Sequence, residues 1–416
     1  MLRFWRARRG PGAARRPTTG WEGPMLTIIR GGRVFAPEPL GVKDILVAGP
    51  IIVAVSDPGT LEVRGVAART MDAAGRLVLP GLIDPHVHIL GGGGEGGPAT
   101  RAPEIRVEDI VASGVTSLIG CLGTDSVTRH MTSLLAKARA LEVEGVSTWI
   151  YSGSYEVPVK TITGAVSGDL VLVDKVVGAG EIAVSDHRSS QPTFEEFARL
   201  AAECRVGGML GGKAGVLHAH LGDGPRRLQY FFRLVRETEI PATQVIGTHI
   251  NRNRPLFEEG LEWVKAGGAI DLTVGPDPDP ASDPEVGLEH AVRLFLERRL
   301  PLERLMVSSD SNGSLPVFDA GGKLIRLTIA TQSDLFRKFR DLVVKKILGV
   351  DAAARVFAAN PAVFYKLPKK GRLGEGQDAD LILLDEDLRL TDVMARGRLL
   401  MEKGRLLARG TFSPPD

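Results

Sequence analysis

The sequence predicts an α/β fold: a (β/α)8, TIM-like barrel joined to a small β-sandwich domain that is formed from both chain ends. Three observations lead to this prediction. Eight short apolar runs follow one another through the middle of the chain, helical patterns separate many of them, and shorter β-rich segments lie near each end. Strands that alternate with connectors over roughly 280 residues are typical of a barrel with a parallel sheet.

The segments near the two ends are short and β-rich. Gly31-Gly32 and Gly49-Pro50 provide turns between the first of them. Neither set is long enough to bury a core by itself, so we expect residues 25–80 and 366–416 to form one β-sandwich domain together. The segments are Leu26–Arg30, Arg33–Ala36, Asp44–Ala48, Ile51–Ser56, Ala379–Leu384, Val393–Ala395, Arg398–Met401 and Arg405–Ala408.

Residues 81–365 are predicted to form the barrel. Its strand runs are apolar nearly throughout, as in strands that are buried on both faces. Thr193 followed by Glu196 predicts a capping box at the start of one helix. The predicted strands are Leu82–His88, Val115–Leu122, Ser147–Ser154, Glu181–Asp186, Gly215–Leu221, Gln244–Ile250, Ala269–Val274 and Leu305–Asp310, and the helical patterns include Val127–Leu141, Glu195–Val206 and Val286–Arg298.

Composition excludes several classes of protein. Of 416 residues, 43% are apolar, 25% are charged and 50 are glycine, which excludes a disordered, collagen-like or coiled-coil chain. No window approaches 18 unbroken apolar residues, so we expect no membrane-spanning helix. The two cysteines, Cys121 and Cys204, argue against a disulfide framework and favour a reducing, cytoplasmic location.

The first 24 residues differ from the rest of the chain. They contain six arginines against Glu22 alone, a local charge of +5, which leaves about −3 of the total charge of +2 for the remainder. The body of the chain therefore carries no charge pattern typical of nucleic-acid binding. The segment has no apolar core of a secretory signal. We expect a disordered leader or a start assigned too early, with Met25 as the true start, and an organelle transit peptide is the alternative.

His86 and His88 stand two residues apart at the end of the first barrel strand. A period of two places both imidazoles on one face of a strand. At the carboxyl end of a barrel strand that face opens into the barrel mouth, where enzymes with this fold place their active sites. Taken alone, the pair is explained equally well by core packing.

Other strand ends carry further metal-binding side chains. Glu181 is predicted to start the fourth strand, His220 lies in the fifth, His249 near the end of the sixth and Asp310 at the end of the eighth. Nitrogen and oxygen donors from several strands suit zinc or a similar divalent metal. His218 shares a face with His220, and we expect it to be a packed interior residue rather than a ligand.

Several motifs resemble the amidohydrolase superfamily, and within it the isoaspartyl (β-aspartyl) dipeptidases. They are G-L-I-D-P-H-V-H, L-G-T-D, S-D-H-R-S, H-I-N-R-N and S-S-D-S-N-G-S, within a similarity that runs from about Met25 to Leu407. The resemblance implies two zinc ions per chain that share a hydroxide. His86, His88 and Asp310 would bind one ion, and His220 and His249 the other. Asp310 would also act as general base and then general acid.

The position that bridges the two metals departs from the familiar pattern. Familiar members carry a carboxylated lysine there, whereas this sequence reads G-A-G-E-I-A and places Glu181 at that position. A glutamate can bridge two metals without carbon dioxide, but its stem is shorter. The alternative is that Glu181 is an ordinary acidic residue at a strand end.

The resemblance also implies a set of substrate-binding residues. Glu95 would bind the free α-amino group of the substrate, Gly93 and Thr124 its α-carboxylate, and Ser314 would lie near that end. The remaining members are Arg188 and Arg252, which would hold the terminal carboxylate, and Tyr155, which would polarise the carbonyl. The alternatives are a flexible glycine loop, surface ion pairs of the arginines, a core tyrosine, and hydroxyls that cap turns.

The expected function is therefore metal-dependent hydrolysis of the isopeptide bond in β-aspartyl dipeptides. The partner would be a small dipeptide, with no nucleic acid and no membrane, and the chain is expected to form a homo-oligomer. A first alternative is another amidohydrolase reaction, such as cyclic amide opening or deacylation of N-acyl amino acids. A second is a non-catalytic scaffold, which would be expected to have lost metal ligands.

Overall fold

The computed structural model describes residues 25–275, 285–318 and 323–413 of the chain, so the predicted leader, residues 1–24, lies outside the described residues. Within them there are nineteen strands. These are β1 (Leu26–Phe35), β2 (Pro39–Ala48), β3 (Ile51–Ser56), β4 (Arg69–Asp72), β5 (Leu77–Pro80), β6 (Leu82–Val87), β7 (Val115–Gly120), β8 (Ser147–Ser152), β9 (Val176–Val184), β10 (Val216–Leu221), β11 (Val245–Thr248), β12 (Ala269–Thr273), β13 (Leu305–Ser308), β14 (Ser314–Phe318), β15 (Leu324–Ile329), β16 (Leu381–Leu384), β17 (Leu390–Ala395), β18 (Arg398–Glu402) and β19 (Arg405–Leu406).

Ten α-helices occur in the same residues, and the predicted capping box is present at the start of the fourth. The Glu196 N–H donates to Thr193 Oγ1 over 3.2 Å, and the Thr193 N–H donates to Glu196 Oε2 over 2.8 Å. None of the helices in the described segments is both long and apolar enough to cross a bilayer. The helices are α1 (Val107–Ala112), α2 (Met131–Glu144), α3 (Val166–Leu172), α4 (Phe194–Gly211), α5 (Gln229–Glu237), α6 (Arg254–Lys265), α7 (Leu288–Glu297), α8 (Ser333–Val344), α9 (Val350–Ala354) and α10 (Asn360–Phe364).

Strands β6 to β13 form an eight-stranded parallel sheet in chain order. The sheet curls so that its two edges meet: Val87 pairs in parallel with Ser311, and the Asp310 N–H donates to the His86 carbonyl over 3.1 Å. Every residue of these eight strands is buried except Trp149, which is half-buried. The predicted barrel, with strands buried on both faces, is thereby confirmed.

The two chain ends meet in one further sheet, as the sequence predicts. Its strand order is β19-β18-β17-β16-β5-β1-β2-β3, with β4 pairing alongside β1. The two ends join where β5 pairs antiparallel with β16, with Leu79 opposite Ile382. The two segments predicted over residues 26–36 are one strand, β1, and the register of its pairing with β2 shifts between Ile29 and Gly32.

Strand β9 begins at Val176, so the prediction that Glu181 starts the fourth barrel strand is wrong. The run V-G-A-G resembles a loop in sequence, but its glycines are needed inside the strand. A Cβ atom on Gly178 would lie 2.3 Å from the Val216 carbonyl oxygen, and one on Gly180 would lie 2.6 Å from that of His218. Close packing of β9 against β10 therefore requires glycine at both positions, and Glu181 lies in the second half of the strand.

One buried lysine connects the barrel to the sheet formed by the chain ends. Lys370 Nζ donates to Asp380 Oδ2 over 2.6 Å and to Ser147 Oγ over 2.8 Å, and it lies 2.7 Å from Asp378 Oδ2. Ser147 opens barrel strand β8, whereas Asp380 immediately precedes β16. The side chains of Lys370 and Asp380 are 3% and 5% exposed, so the ion pair is desolvated.

We predict that Lys370→Met destabilises the fold by about 3–5 kcal/mol, because it leaves buried carboxylates without their counter-charge. Urea unfolding followed by circular dichroism measures the difference. The neighbouring and exposed Lys369 provides a matched control, and Lys369→Met is expected to change stability by less than about 0.5 kcal/mol. Equal losses in the two variants would show that the buried pair does not hold the two parts together.

Candidate functional site

The six predicted metal-binding side chains meet at the carboxyl ends of the barrel strands. The Glu181 carboxylate lies at the centre and is fully buried. Its Oε2 atom lies 3.2 Å from His86 Nε2, 3.2 Å from His220 Nδ1 and 3.9 Å from His249 Nε2. Its Oε1 atom lies 3.3 Å from His88 Nε2. One carboxylate therefore faces four imidazoles that come from three different strand ends.

Asp310 closes the cluster on the side of the first two histidines. Its Oδ1 atom lies 2.9 Å from His88 Nε2 and 3.6 Å from His86 Nε2. Asp310 follows β13 in the left-handed backbone region at φ 54°, and His249 follows β11 in the same region at φ 60°. Such strained backbone at non-glycine residues is concentrated at functional sites.

The donor atoms fit a metal centre. His86 Nε2 and Glu181 Oε1 are buried without a hydrogen-bond partner in the part of the chain that the structure describes. Single donor atoms of Glu181, His220 and His249 lie within 4.8 Å of one another, as do those of His86, His249 and Asp310. Imidazole nitrogens with carboxylate oxygens form the ligand set that zinc and similar cations prefer.

The electrostatics of the cluster favour positive charge. Burial alone would lower the pKa of His86, but the carboxylates of Glu181 and Asp310 raise it well above its usual value. Burial alone would raise the pKa of Glu181, but His86 and His220 hold it well below its usual value. The carboxylates that retain a proton on His86 would also attract a divalent cation, which would replace that proton.

The ring nitrogens that face away from the central carboxylates have partners of their own. Outer partners of this kind fix the orientation of metal-binding imidazoles and their tautomers. Sequence reasoning missed all of them as partners, although Asp186 lies in the S-D-H-R motif. The pairs are His86 Nδ1 with Thr248 Oγ1 at 3.2 Å, His249 Nδ1 with Thr273 Oγ1 at 2.7 Å, His220 Nε2 with Asp186 Oδ2 at 3.0 Å and His88 Nδ1 with Cys121 Sγ at 3.7 Å.

Asp271 anchors the partner of His86. Thr248 Oγ1 donates to Asp271 Oδ2 over 2.7 Å, and Ser308 Oγ donates to the same oxygen over 2.6 Å. Because Thr248 uses its proton on Asp271, its oxygen is left to accept a proton from His86 Nδ1. Burial raises the pKa of Asp271 to about 7. This series of hydrogen bonds, from Asp271 on β12 through Thr248 on β11, therefore holds His86 on β6 with its Nε2 directed at Glu181.

Tyr155, Arg188 and Asp186 surround His220. The Tyr155 hydroxyl lies 2.8 Å from His220 Nδ1, and Arg188 Cζ lies 5.5 Å from the centre of the tyrosine ring. Arg188 donates to both oxygens of Asp186, over 3.1 and 2.8 Å. Burial would raise the pKa of Asp186, but hydrogen bonds from His220 and Arg188 lower it far more. The Arg188 side chain is 11% exposed, which excludes a surface ion pair.

Three of the predicted substrate-binding residues meet at a fourth, Glu95. Thr124 Oγ1 donates to Glu95 Oε1 over 3.0 Å, and Ser314 Oγ donates to the same oxygen over 2.9 Å. Arg188 Nη1 lies 3.5 Å from it. Glu95, Thr124 and Arg188 lie in the loops after β6, β7 and β9. Ser314 begins β14, so the barrel mouth brings four separate segments together.

The glycine segment that carries Gly93 is a loop whose conformation is fixed by the Arg129 side chain. Gly91, Gly92 and Gly93 are buried, and the Arg129 guanidinium donates to three carbonyls of the segment. The distances are 3.3 Å to Leu90, 2.8 Å to Gly92 and 3.2 Å to Gly93. Sequence reasoning did not identify Arg129. The alternative of a flexible glycine loop does not fit these contacts.

Arg252 and His218 lie next to the central cluster. Burial lowers the pKa of His249, and the nearby Arg252 guanidinium lowers it further. Arg252 Nε is buried without a hydrogen-bond partner among the described residues. His218 is fully buried and stacks on Tyr151, with ring centres 4.6 Å apart. Its position fits an interior residue beneath the cluster.

Two solved structures are similar to almost the whole chain. A β-aspartyl dipeptidase from Fervidobacterium islandicum AW-1, solved in complex with the β-Asp-Leu dipeptide, has a TM-score of 0.88 and 45% identity over 93% of this chain and 98% of that chain. A second structure of β-aspartyl dipeptidase from the same source has a TM-score of 0.83 and 43% identity over 92% and 98% of the two chains.

More distant proteins share the architecture. A dihydropyrimidinase from Brevibacillus agri NCHU1002 matches with a TM-score of 0.64 at 16% identity, which shows a common fold. An adenine deaminase of Halalkalibacterium halodurans is 24% identical over 90% of this chain, and a dihydroorotase of Trichlorobacter lovleyi is 29% identical over 39% of it. The chain spans 57% and 36% of the length of these two curated relatives. No family model matches the chain.

We predict that Thr248→Val weakens metal binding by about 10–100-fold, because His86 loses the acceptor that fixes its ring. Competition with a chromophoric zinc chelator measures the affinity. Thr116→Val is the matched control, since Thr116 is equally buried but its hydroxyl has no hydrogen-bond partner among the described residues. Unchanged affinity in Thr248→Val, or an equal loss in both variants, would contradict the role of Thr248.

Proposed function

Because the chain belongs to the β-aspartyl dipeptidase family of the amidohydrolase superfamily, we propose that it is a metal-dependent hydrolase that cleaves the isopeptide bond of β-aspartyl dipeptides. The observation that carries the proposal is the buried carboxylate of Glu181 among four imidazoles, next to a cluster of polar groups around Glu95. The similar protein from Fervidobacterium islandicum AW-1 was solved with a β-Asp-Leu dipeptide bound, which supports the substrate class.

Two zinc ions are the proposed cofactor. His86, His88 and Asp310 would hold one ion, His220 and His249 would hold the other, and Glu181 would bridge them. Oε1 of Glu181 faces His88, and Oε2 faces both His86 and His220, so the carboxylate lies between the two proposed groups of ligands. Cations held there would supply Lewis-acid polarisation of the scissile carbonyl and would acidify a water molecule.

Asp310 is proposed to move the proton of the reaction. Its side chain is 8% exposed, at the rim of the cluster, whereas the Glu181 side chain beneath it is fully enclosed. Its carboxylate would accept a proton from the attacking water and then donate that proton to the departing amine. The left-handed backbone at Asp310 and its N–H bond to the His86 carbonyl fix the direction of the carboxylate.

Tyr155 is proposed to stabilise negative charge on the carbonyl oxygen. Burial and the nearby Glu181 carboxylate raise the pKa of Tyr155 well above its usual value, so its hydroxyl stays protonated. A protonated phenol can donate a hydrogen bond to an oxyanion that develops beside it. The contact of its hydroxyl with His220 places this donor beside the proposed metal ligands.

The β-linkage would be recognised through the two charged groups that it leaves free on the aspartyl residue. The Glu95 carboxylate would pair with the α-ammonium group and release the Thr124 hydroxyl that donates to it in this structure. Gly93 and Thr124 would then donate to the α-carboxylate, and Ser314 would lie beside them. An α-linked dipeptide lacks that free carboxylate and would leave the donors unpaired. Unpaired buried donors cost binding energy, which gives discrimination.

Two arginines are proposed to bind the carboxyl terminus of the dipeptide. Arg252 Nε is buried and has no hydrogen-bond partner among the described residues, which is consistent with a donor that awaits a ligand. Arg188 is held in place by Asp186. A pair of planar guanidinium groups suits a carboxylate.

Other reactions on the same metals would use fewer of these groups. Cyclic amide opening and deacylation of N-acyl amino acids do not require a carboxylate that binds a free α-ammonium group. Glu95 supplies such a carboxylate. A non-catalytic scaffold would not need a complete set of metal-binding side chains. The two buried and unpaired cysteines support the proposal that the protein works in a reducing compartment such as the cytoplasm.

We predict that the zinc-loaded protein hydrolyses β-Asp-Leu and leaves α-Asp-Leu intact, and that a chelator abolishes the activity. Asp310→Asn, tested at saturating zinc, is expected to lower kcat by at least about 10²-fold, because the proton carrier is lost. Asp387→Asn, at an exposed aspartate, is the control and should retain full activity. Release of leucine, followed by chromatography, provides the measurement.

The same assay distinguishes the alternatives. Preferential cleavage of α-Asp-Leu would overturn the proposed substrate class. Turnover of dihydroorotate or of an N-acyl amino acid without turnover of β-Asp-Leu would favour another hydrolase. The absence of any turnover, with zinc bound, would favour a scaffold.

A further inference from the structure

Cys121 lies beside the histidine pair of the candidate metal centre. It immediately follows β7, and its side chain is almost completely buried. Its sulfur lies 3.7 Å from His88 Nδ1 and 3.6 Å from the Val87 carbonyl oxygen. Both are weak contacts, because a thiol is a poor hydrogen-bond donor and acceptor.

The sulfur belongs to a group of four potential ligands. One donor atom each from His86, His88, Cys121 and Glu181 lies within 4.8 Å of the other three, and all four residues are buried. In a tetrahedral zinc site, with Zn–N near 2.0 Å and Zn–S near 2.3 Å, ligand atoms are separated by roughly 3.5 Å. The four atoms therefore lie within reach of a single ion, which would draw them together.

Two members of this group independently lack a partner. His86 Nε2 and Glu181 Oε1 are both fully enclosed, and neither makes a hydrogen bond within the described residues. Buried polar atoms without a partner are uncommon in folded proteins, and a bound ion is one of the causes. The vicinity of Cys121 thus contains unsatisfied donors as well as a thiol.

We propose that Cys121, whose sulfur contacts His88 Nδ1 in this structure, turns towards the metal ion that His86 and His88 hold and binds it as a thiolate. Together with Glu181 and Asp310 it would give that ion two nitrogens, one sulfur and two oxygens. The thiol would lose its proton to solvent when the sulfur–metal bond forms, since only the thiolate is a metal ligand. This inference rests on the metal-binding part of the proposed function.

A thiolate at this position has a consequence for metal choice. Soft sulfur ligands favour zinc, cobalt and cadmium over magnesium and manganese, which prefer oxygen. The centre would therefore select thiophilic cations more strongly than a centre with only nitrogen and oxygen ligands would. Among the described residues, Cys121 is the only cysteine at the barrel mouth, because Cys204 is buried in α4. The proposal would make Cys121 part of the metal shell.

Cobalt substitution of the full-length chain tests the proposal. Cobalt bound to a thiolate gives a sulfur-to-metal charge-transfer band in the near ultraviolet, and cobalt bound only to nitrogen and oxygen does not. We expect the band in the wild-type protein and in the control Cys204→Ser, and its complete loss in Cys121→Ser with cobalt still bound. A band of equal strength in Cys121→Ser, or no band in the wild-type protein, would overturn the assignment.

X-ray absorption at the zinc edge of the wild-type protein decides the question without a variant, should Cys121→Ser fail to fold. A sulfur scatterer at about 2.3 Å supports the proposal, and a shell of nitrogen and oxygen alone at about 2.0–2.2 Å refutes it. In the latter case metal binding and the proposed hydrolase function stand. If neither zinc nor cobalt binds, both this inference and the proposed function fail.

Discussion

The rest of the site depends on one buried carboxylate. Glu181 is completely enclosed at the mouth of the barrel, and its two oxygens face the imidazoles of His86, His88, His220 and His249. An isolated carboxylate could not be buried there, because its desolvation costs far more than a single weak contact returns. The surrounding imidazoles, and the cations that we propose between them, offset that cost. The barrel therefore supplies donors from separate strands to one point, and the fixed outer partners of the rings hold them there.

Small backbone features place that carboxylate. Gly178 and Gly180 allow β9 to lie against β10 at a distance that a Cβ atom would prevent. His249 and Asp310 leave their strands in the left-handed region, which turns their side chains towards the centre. The proposed substrate-binding loop depends in turn on Arg129, whose guanidinium donates to the carbonyls of the glycine segment. The metal cluster and the proposed dipeptide pocket thus share one rigid frame, with Arg188 contacting groups in both.

Hydrophobic patterning of the sequence is enough to predict the barrel strands and the residues at their carboxyl ends. Apolar runs identify the eight barrel strands, and their carboxyl ends identify His86, His220 and Asp310 as neighbours. The beginning of β9 was mispredicted because glycines needed for close strand packing look like a turn. The sequence does not predict the hairpin of β14 and β15, since β15 is largely exposed and Arg326 and Thr328 interrupt its apolar residues. Thr248 and Cys121 could not be identified as partners of the histidines, because His86 and Thr248 are 162 residues apart and meet only through the barrel register.

We propose that the cluster around Glu181 holds two divalent cations, and anomalous diffraction from zinc-loaded crystals tests this most directly. We expect two peaks at the zinc edge, roughly 3.5–4 Å apart. One peak should contact His86 and His88, the other His220 and His249, and Glu181 should reach both. A single peak would contradict the paired centre. Zinc bound elsewhere, with none among these imidazoles, would contradict the account as a whole.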